Sequence, residues 1–207
     1  MEISIFGLGY VGCVTMGCLA EMGHSIVGVD IRQDKVDLIS QGKATVVERG
    51  IEAIIAEQRE SGRVRATTDV LQAVRESVVS LICVGTPSTA QGHLHLGNVR
   101  HVAEQIGQAL QRKKEFHTVA IRSTVPPGTN QGLSDIIARQ SGRRAEEEFS
   151  VISNPEFLRE GTGVEDFYHP PMVLLGGKSE RGLECMMELY SGIEAPVHVT
   201  DIGIAEI

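Results

Sequence analysis

Short apolar runs alternate along the chain with longer segments of helical periodicity. The runs have the length of β-strands and fall at Ile3–Phe6, Ser25–Asp30, Val78–Val84, Thr118–Ile121, Ser150–Ser153, Met172–Leu175 and Pro196–Val199. Apolar runs without polar alternation are typical of strands that are covered on both faces. The pattern therefore predicts strands buried inside a layered domain.

The segments between these runs place apolar residues three and four positions apart, as amphipathic helices do. They predict helices at Val11–Met22, Asp34–Ile39, Ile51–Arg59, Val70–Arg75, Val99–Leu110, Leu133–Arg139 and Glu180–Tyr190. Strands that alternate with helices indicate an α/β fold. We expect a doubly wound, mainly parallel sheet of Rossmann type with helices on both faces.

A glycine-rich turn joins the first predicted strand to the first predicted helix. In its sequence, FGLGYVG, the glycines Gly7, Gly9 and Gly12 follow the spacing G-x-G-x-x-G. The first would allow a tight turn, the second would let a diphosphate approach the backbone, and the third would let the helix pack closely on the sheet. Free N–H groups at the start of that helix favour an anion there. Such a trio could serve as a turn alone, but its place between a strand and a helix favours a dinucleotide site.

Asp30 lies at the end of the second predicted strand, where dinucleotide-binding folds carry an acidic residue. A carboxylate there accepts hydrogen bonds from the adenosine ribose hydroxyls and repels a 2′-phosphate. This favours NAD over NADP as the cofactor. The nearby Arg32 leaves NADP open, because an arginine at this point can accommodate the extra phosphate.

Three later strands are followed by loops that combine Pro or Gly with hydroxyl or carboxylate side chains. The loops cover residues 84–88, 122–129 and 154–161. Ligands of doubly wound sheets bind beyond the carboxyl ends of the strands, so Thr86, Ser123 and Thr124 are candidate ligand contacts. The alternative is that these hydroxyls cap turns or helices.

Two carboxylates, Glu156 and Glu160, lie four residues apart in the third loop. If this segment is helical, both side chains share one face of the helix. One carboxylate could then take a proton from water while the other orients a partner. The alternative is a solvated first helical turn, in which acidic residues favour the helix dipole.

Composition restricts the class of protein further. The 207 residues are 42% apolar and 22% charged, which is typical of one folded α/β domain rather than two. The net charge of −8 and the lack of a long basic run argue against nucleic acid as a partner. No apolar run has the length of a membrane span and no secretory leader is apparent, so we expect a cytoplasmic protein.

The four cysteines show neither a zinc-ligand spacing nor a disulfide framework. We expect reduced, mostly buried thiols and no metal site. Cys185 lies within a predicted helix, without the context of a reactive thiolate, and is not expected to be a nucleophile.

Five separated segments together resemble the N-terminal NAD-binding domain of the UDP-glucose/GDP-mannose dehydrogenase family. They are FGLGYVG, VGVD, ICVGTPS, RSTVPPGT and SNPEFLREGTGVEDF, in the family's order and spacing over essentially the whole chain. Within the family, RSTVPPGT and the later HPPMVLLG resemble the GDP-mannose 6-dehydrogenase branch more than the UDP-glucose branch.

The resemblance implies a four-electron oxidation of a nucleotide sugar, from the C6 alcohol to a carboxylate, with two NAD and a thioester on an enzyme cysteine. The residues that match the family's NAD contacts are Tyr10, Val11, Asp30, Lys35, Thr86 and Thr124. Thr124 would also lie near the reactive water. Glu160 matches a carboxylate at the sugar and would act as the base for thioester hydrolysis, with Glu156 in support.

Some family features are missing or altered. The family's cysteine motif and the lysine and asparagine of its central helix do not occur in these 207 residues. We therefore expect residues 1–200 to be the NAD-binding domain, 201–207 to be the truncated start of the central linker helix, and the substrate-binding C-terminal domain to be absent. Glu48-Arg49-Gly50 stands where the family usually has Glu-Pro-Gly, and His93 and His95 stand where aspartate is usual.

The resemblance further implies a homodimeric parent protein, while the chain alone could be a monomer or a weak dimer. We expect the chain alone to bind NAD without turnover. Two other functions stay open at this point: a non-catalytic NAD-binding module, and a different dehydrogenase such as a β-hydroxyacid type that shares the glycine turn.

Overall fold

The computed structural model describes residues 1–207 and contains one eight-stranded sheet. Its strands are β1 (Glu2–Phe6), β2 (Ser25–Val29), β3 (Val64–Thr67), β4 (Val79–Ile82), β5 (His117–Ile121), β6 (Phe149–Ser153), β7 (Val173–Gly176) and β8 (Val197–Thr200). They lie in the order β3-β2-β1-β4-β5-β6-β7-β8. Every neighbouring pair is parallel except β6 and β7, which pair antiparallel. The predicted doubly wound, mainly parallel α/β sheet is confirmed.

Helices cover both faces of the sheet, as predicted. They are α1 (Tyr10–Glu21), α2 (Gln33–Ser40), α3 (Ile51–Glu60), α4 (Val70–Glu76), α5 (Gly97–Leu110), α6 (Thr129–Ser141), α7 (Gly163–Tyr168), α8 (Glu180–Leu189) and α9 (Ile202–Ala205). One core packs α1, α3 and α8 on the sheet, and a second core packs α4, α5 and α6. In β5, Val119 and Ile121 enter the second core while Ala120 enters the first. Burial on both faces explains why the central strands are continuous apolar runs.

The apolar pattern does not predict β3. Only Val64 of its four residues is buried, because β3 forms the edge of the sheet beside β2. The remaining residues, Arg65 to Thr67, are partly exposed, and so the strand lacks the apolar run that marks the central strands.

The last third of the chain departs from simple alternation of parallel strands. Strand β7 runs antiparallel to β6, with Ser153 and Gly176 as their registered pair. Since β8 is parallel to β7, both strands run against the rest of the sheet. An apolar run predicts the position of a strand, while its direction depends on how the preceding connection crosses the sheet.

The last residues of the chain pack against the carboxyl-end loops. Ala205 in α9 is buried, and the Glu206 carboxylate accepts hydrogen bonds from the N–H groups of Gly128 (2.6 Å) and Asn130 (2.7 Å). These N–H groups lie at the start of α6, where a negative charge is favourable. The division into residues 1–200 and 201–207 stays a prediction.

None of the helices is both long and apolar enough to span a lipid bilayer. No group of three or more His, Cys, Asp or Glu side chains is arranged to hold a metal ion. His93 and His95 are exposed in the loop before α5.

Candidate functional site

The three glycines of the turn between β1 and α1 differ in what surrounds them. Gly7 has a φ of +93°, and a Cβ on Gly12 would lie 1.8 Å from the carbonyl oxygen of Gly7. These two positions therefore need glycine for the chain's own conformation and packing. Gly9, in contrast, has no neighbour within 4 Å of an added Cβ and lines an open cleft.

The first turn of α1 faces this cleft without a polar side chain to cap it. Gly9 is the N-cap residue, no side chain bonds to the N-terminal N–H groups, and the first turn has no acidic residue. The starts of α4 and α8, in contrast, are capped by Asp69 and Ser179. An uncapped helix N-terminus beside a glycine turn can receive a phosphate group.

Asp30 follows β2 and closes the other side of the glycine turn. Its Oδ2 atom accepts a hydrogen bond from the N–H of Leu8 (2.8 Å) and lies 3.5 Å from Lys35 Nζ, while Oδ1 accepts from the N–H of Arg32 (3.0 Å). The carboxylate thus fixes the turn and brings the predicted contact Lys35 into the same site. The Arg32 guanidinium is paired with Asp34, and Arg32 also lines the cleft.

The cleft between the glycine turn and α5 has a volume of about 420 Å³. It is lined by Gly7, Gly9, Asp30 and Lys35 together with Arg32, residues 83–85 after β4 and residues of α5. A larger and more open groove of about 730 Å³ lies between α5 and α6, and it contains none of the three glycines of the turn. The smaller cleft is therefore the candidate dinucleotide site.

Sequence reasoning missed the wall of the cleft that α5 provides. Asn98, His101 and Gln105 line it, and Asn98 also donates a hydrogen bond to the Gly85 carbonyl oxygen (3.0 Å). These polar residues are three and four positions apart, so they share one face of α5. This spacing could have indicated a polar face of α5 at the site, but the sequence pattern of the helix is dominated by its apolar face.

The loops after β4 and β5 are tied together by their hydroxyl groups. Thr86 Oγ1 donates to the backbone carbonyl of Thr124 (2.8 Å), and Ser123 Oγ donates to the carbonyl of Val84 (2.7 Å). The structure brings Thr86 and Thr124 together, with the Thr124 side chain exposed. Neither threonine lines the cleft.

The predicted contacts Tyr10, Val11 and Gly12 belong to the first turn of α1, and none of the three residues lines the cleft. Tyr10 instead points its phenol at Glu48. The start of α1 therefore borders the cleft through its N-cap residue, Gly9.

The helical arrangement considered for Glu156 and Glu160 is wrong. Residues 154–159 have no helical or strand structure, and α7 begins only at Gly163. Asn154 precedes a proline, which disfavours the helical backbone at that point. Glu156 is half-buried and accepts a hydrogen bond from the N–H of Leu158, whereas Glu160 is exposed.

The 154–161 loop is held by Asp166 instead of by its own helix. The Asp166 carboxylate accepts hydrogen bonds from the N–H of Arg159 (2.9 Å), from the Arg159 guanidinium (2.6 Å) and from the Thr162 hydroxyl (2.9 Å). These bonds, led by the one from the guanidinium, hold the pKa of Asp166 well below its usual range. Asp166 lies within the quoted VEDF segment, but nothing in the sequence distinguished it from its neighbours.

A buried polar group lies at the carboxyl ends of β5 and β6. Arg122 donates to Asn154 Oδ1 (2.9 Å) and to the Tyr190 hydroxyl (2.6 Å), which itself lies 2.7 Å from the same amide oxygen. This arrangement fixes the start of the 154–161 loop, because Asn154 is its first residue. The sequence presented Arg122 as part of a motif without indicating its partners.

Three of the four cysteines are buried and Cys185 is half-buried, as expected for reduced thiols. Burial raises the pKa of Cys18 and of Cys83 to about 12 and raises those of Cys13 and Cys185 as well. A thiol becomes a nucleophile as its thiolate, so none of the four has the character of a reactive cysteine.

The sheet order, the glycine turn, the uncapped α1 and the acidic residue after β2 define the class: a dinucleotide-binding α/β domain. Residues 1–194 match the family model described as "UDP-glucose/GDP-mannose dehydrogenase family, NAD binding domain". The chain therefore belongs to this family and comprises its NAD-binding domain.

Individual relatives agree with this assignment. The chain is 46% identical to the GDP-mannose 6-dehydrogenase of Pseudomonas aeruginosa over 208 aligned residues, which cover 100% of this chain and 48% of that protein. The crystal structure of a ternary complex of GDP-mannose dehydrogenase from Pseudomonas aeruginosa superposes with a TM-score of 0.98 at 46% identity, covering 100% of this chain and 48% of that one.

A second solved structure is the UDP-glucose dehydrogenase of Pyrobaculum islandicum. It gives a TM-score of 0.94 at 36% identity, with 99% of this chain and 47% of that chain covered. The chain thus spans about half the length of the relatives that it matches.

Proposed function

We propose that the chain binds NAD in the cleft between the glycine turn and α5. The diphosphate would lie against Gly9 and the first turn of α1, and the adenosine ribose would reach the Asp30 carboxylate. The observation that carries this proposal is the open space at Gly9 beside an uncapped helix N-terminus. Lys35 beside Asp30 adds a positive charge within reach of the ligand.

The contacts of the other predicted site residues indicate what each would do. Tyr10 and Val11 would contribute backbone N–H groups at the start of α1. Thr86 would hold the loops beyond the cleft in register, because its hydroxyl donates a hydrogen bond to the backbone carbonyl of Thr124. Glu160, which is exposed, is the carboxylate free to act on a substrate, while Glu156 is engaged with the backbone of its own loop.

The reaction that we propose for the whole protein is oxidation of the C6 alcohol of a nucleotide sugar to the carboxylate. Bound NAD would supply the hydride acceptor in each of two successive steps. GDP-mannose is the favoured substrate, because the chain is more similar to the Pseudomonas aeruginosa enzyme than to the Pyrobaculum islandicum enzyme. UDP-glucose is the alternative substrate.

The 207 residues alone are proposed to hold NAD without oxidising the sugar. The family's cysteine motif does not occur in them, and burial raises the pKa of each of their four thiols. A non-catalytic NAD-binding module is a second candidate function, favoured by the altered residues Arg49, His93 and His95. A cytoplasmic location and a homodimeric parent protein stay predictions from the sequence.

Calorimetric titration of the purified chain with NAD and with NADP tests the proposal. We expect one NAD per chain and weaker binding of NADP, since Asp30 would face the 2′-phosphate. A folded chain that binds neither nucleotide would contradict the proposal. Absorbance at 340 nm after GDP-mannose or UDP-glucose is added with NAD should not rise. NADH formation would contradict the proposal that the 207 residues hold NAD without oxidising the sugar.

A further inference from the structure

Glu48 is a buried carboxylate whose hydrogen-bond donors all lack a charge. It belongs to the segment between α2 and α3. Its Oε2 atom accepts from the phenol of Tyr10 and from the N–H of Gly161 (2.7 Å), and its Oε1 atom accepts from the N–H of Arg49 (2.8 Å). Burying a carboxylate is costly unless its hydrogen bonds are satisfied, so these donors must be held in place.

The two donors on Oε2 come from distant parts of the chain. Tyr10 is the first residue of α1 and follows Gly9, so its backbone forms part of the proposed diphosphate site. Gly161 follows Glu160 in the loop after β6 and has a φ of +94°, which is the left-handed region that favours glycine. One carboxylate oxygen therefore joins the nucleotide side of the cleft to the loop that carries Glu160.

The backbone on both sides of Glu160 is fixed while its side chain is exposed. Before it, Arg159 donates its N–H to Asp166 (2.9 Å), and its carbonyl oxygen lies 2.8 Å from the Tyr10 hydroxyl. After it, the N–H of Gly161 is bound to Glu48. These contacts determine where the Glu160 carboxylate can reach.

Close packing reinforces the link between α1 and the loop. A Cβ on Gly163 would lie 2.3 Å from the Tyr10 hydroxyl oxygen, so the tyrosine ring leaves no room for a side chain there. The segment that carries Glu48 is also fastened to the glycine turn, because Thr45 Oγ1 donates to the Leu8 carbonyl (2.9 Å). The turn, Glu48 and the Glu160 loop thus form one connected unit.

We propose that Glu48 is a positioning residue that sets the place of Glu160 relative to the nucleotide cleft, through Tyr10 and Gly161. This inference rests on the proposed function, because it gives Glu160 its role at the substrate. A ligand that orders the first turn of α1 would then also order the Gly161 end of the loop.

The chain offers a matched control at the other end of α1. There the Tyr168 phenol bonds to the Glu21 carboxylate and lies 3.4 Å from the Cys18 carbonyl. This second tyrosine–glutamate pair has the same chemistry, but it contacts neither the glycine turn nor Gly161. Variants of both pairs therefore separate a general loss of packing from a loss of positioning.

The test is backbone amide hydrogen exchange at Gly161, measured with and without saturating NAD. The variants are Glu48→Ala and Tyr10→Phe, with Glu21→Ala and Tyr168→Phe as controls. Without NAD, we expect exchange at Gly161 to be about 10-fold faster or more in Glu48→Ala, because the amide loses a charged acceptor. We expect a smaller increase in Tyr10→Phe and less than about a twofold change in the controls.

The effect of NAD is the measurement that a merely structural role would not change. In the natural chain and in the controls, NAD should slow exchange at Gly161. In Glu48→Ala, NAD should still bind but slow this exchange by less than about twofold. The proposal would be overturned if NAD slowed exchange at Gly161 equally in Glu48→Ala and in the natural chain. It would also be overturned if NAD bound to the natural chain without slowing this exchange.

Two further outcomes are also decisive. If Glu48→Ala does not fold, Tyr10→Phe decides, because it keeps the carboxylate at Gly161 and removes only the hydroxyl group of Tyr10. Unchanged exchange at Gly161 in this variant overturns the link. If the natural chain does not bind NAD, the proposed function fails, whereas the NAD-free comparison of Gly161 exchange still tests the contact with Glu48.

Discussion

At the carboxyl ends of β1, β2 and β4 the protein leaves a cleft of about 420 Å³, whereas toward the amino ends of β1, β4 and β5 polar side chains bond to one another. At the carboxyl ends, Gly9 has open space and α1 has no cap. At the amino ends, Ser4 Oγ lies 2.9 Å from Ser77 Oγ and 2.7 Å from Ser80 Oγ, which lies 2.8 Å from His117 Nε2.

The polar groups at the amino ends include two ionisable side chains with no access to a ligand. Burial lowers the pKa of His117 well below its usual value and lowers that of Lys113 to about 8. Lys113 donates hydrogen bonds to the carbonyl oxygens of Val74 (2.8 Å) and Ser77, at the end of α4. Shifted pKa values and clustered polar atoms therefore do not by themselves mark a binding site. Free hydrogen-bonding groups beside open space do.

The largest effect should come from comparing two glycines of the turn. Gly12→Ala places a methyl group 1.8 Å from the Gly7 carbonyl and should destabilise the fold by about 3 kcal/mol. Gly9→Ala should change the unfolding free energy by less than about 1 kcal/mol but weaken NAD binding at least about 10-fold, because the methyl group occupies the approach of the diphosphate. Thermal unfolding and NAD titration of both variants measure the contrast. Equal loss of stability in the two variants would contradict it.

Asp30→Ala should weaken NAD binding by about 1.5–3 kcal/mol, since hydrogen bonds to a charged acceptor are lost. Asp34→Ala is the matched control, because Asp34 is exposed on the same side of the molecule and pairs with Arg32. Titration of both variants with NAD gives the difference. Unchanged affinity in Asp30→Ala would remove Asp30 from the ribose site.

Ser80→Ala tests the amino ends of the strands in the same way. The substitution leaves His117 Nε2 buried without its partner, which should cost about 1–3 kcal/mol of unfolding free energy. NAD affinity should stay unchanged, because no cleft residue is involved. Denaturant unfolding and NAD titration provide the two readouts, and weaker NAD binding in the folded variant would argue against separate roles for the two ends.

The smallest effect concerns the pH dependence of Lys113. Its folded-state pKa of about 8 is below the unfolded value of about 10.4, so the unfolded chain binds more protons between these values. The contribution of Lys113 to stability should therefore rise with pH across this window and be lost as the pH falls through 8. Relative to Lys113→Met, the natural chain should gain about 1 kcal/mol of unfolding free energy between about pH 8.5 and pH 9.5. If the difference in unfolding free energy between the natural chain and Lys113→Met did not change with pH, the lysine would not be desolvated.

The sequence predicted the elements of the sheet well, because burial on both faces leaves a visible apolar run. It failed at β3, whose edge position removes that signal. It made no prediction for the direction of β7, which depends on the chain crossing rather than on local pattern. The glycine turn and Asp30 were predictable because backbone conformation and ligand approach demand particular residue types there.

The missed parts of the site depend on contacts between distant segments. Asn98, His101 and Gln105 enter the cleft because α5 packs beside β4, and Asp166 controls the 154–161 loop through Arg159. Glu48 meets Gly161 across a separation of 113 residues. The spacing of residues along the chain does not indicate such partners. The helical arrangement of Glu156 and Glu160 was wrong because Asp166 and a proline determine the backbone conformation of the loop.

Nuclear magnetic resonance of the folded chain can show directly where NAD binds. Glycine-selective 15N labelling reports both ends of the sheet at once, since Gly7, Gly9 and Gly12 lie at the carboxyl end and Gly62 lines a recess at the amino end. Addition of NAD should shift the amide resonances of the three turn glycines in a saturable way and leave Gly62 unchanged. Saturable shifts at Gly62 with none at the glycine turn would contradict the proposal that NAD binds at that turn.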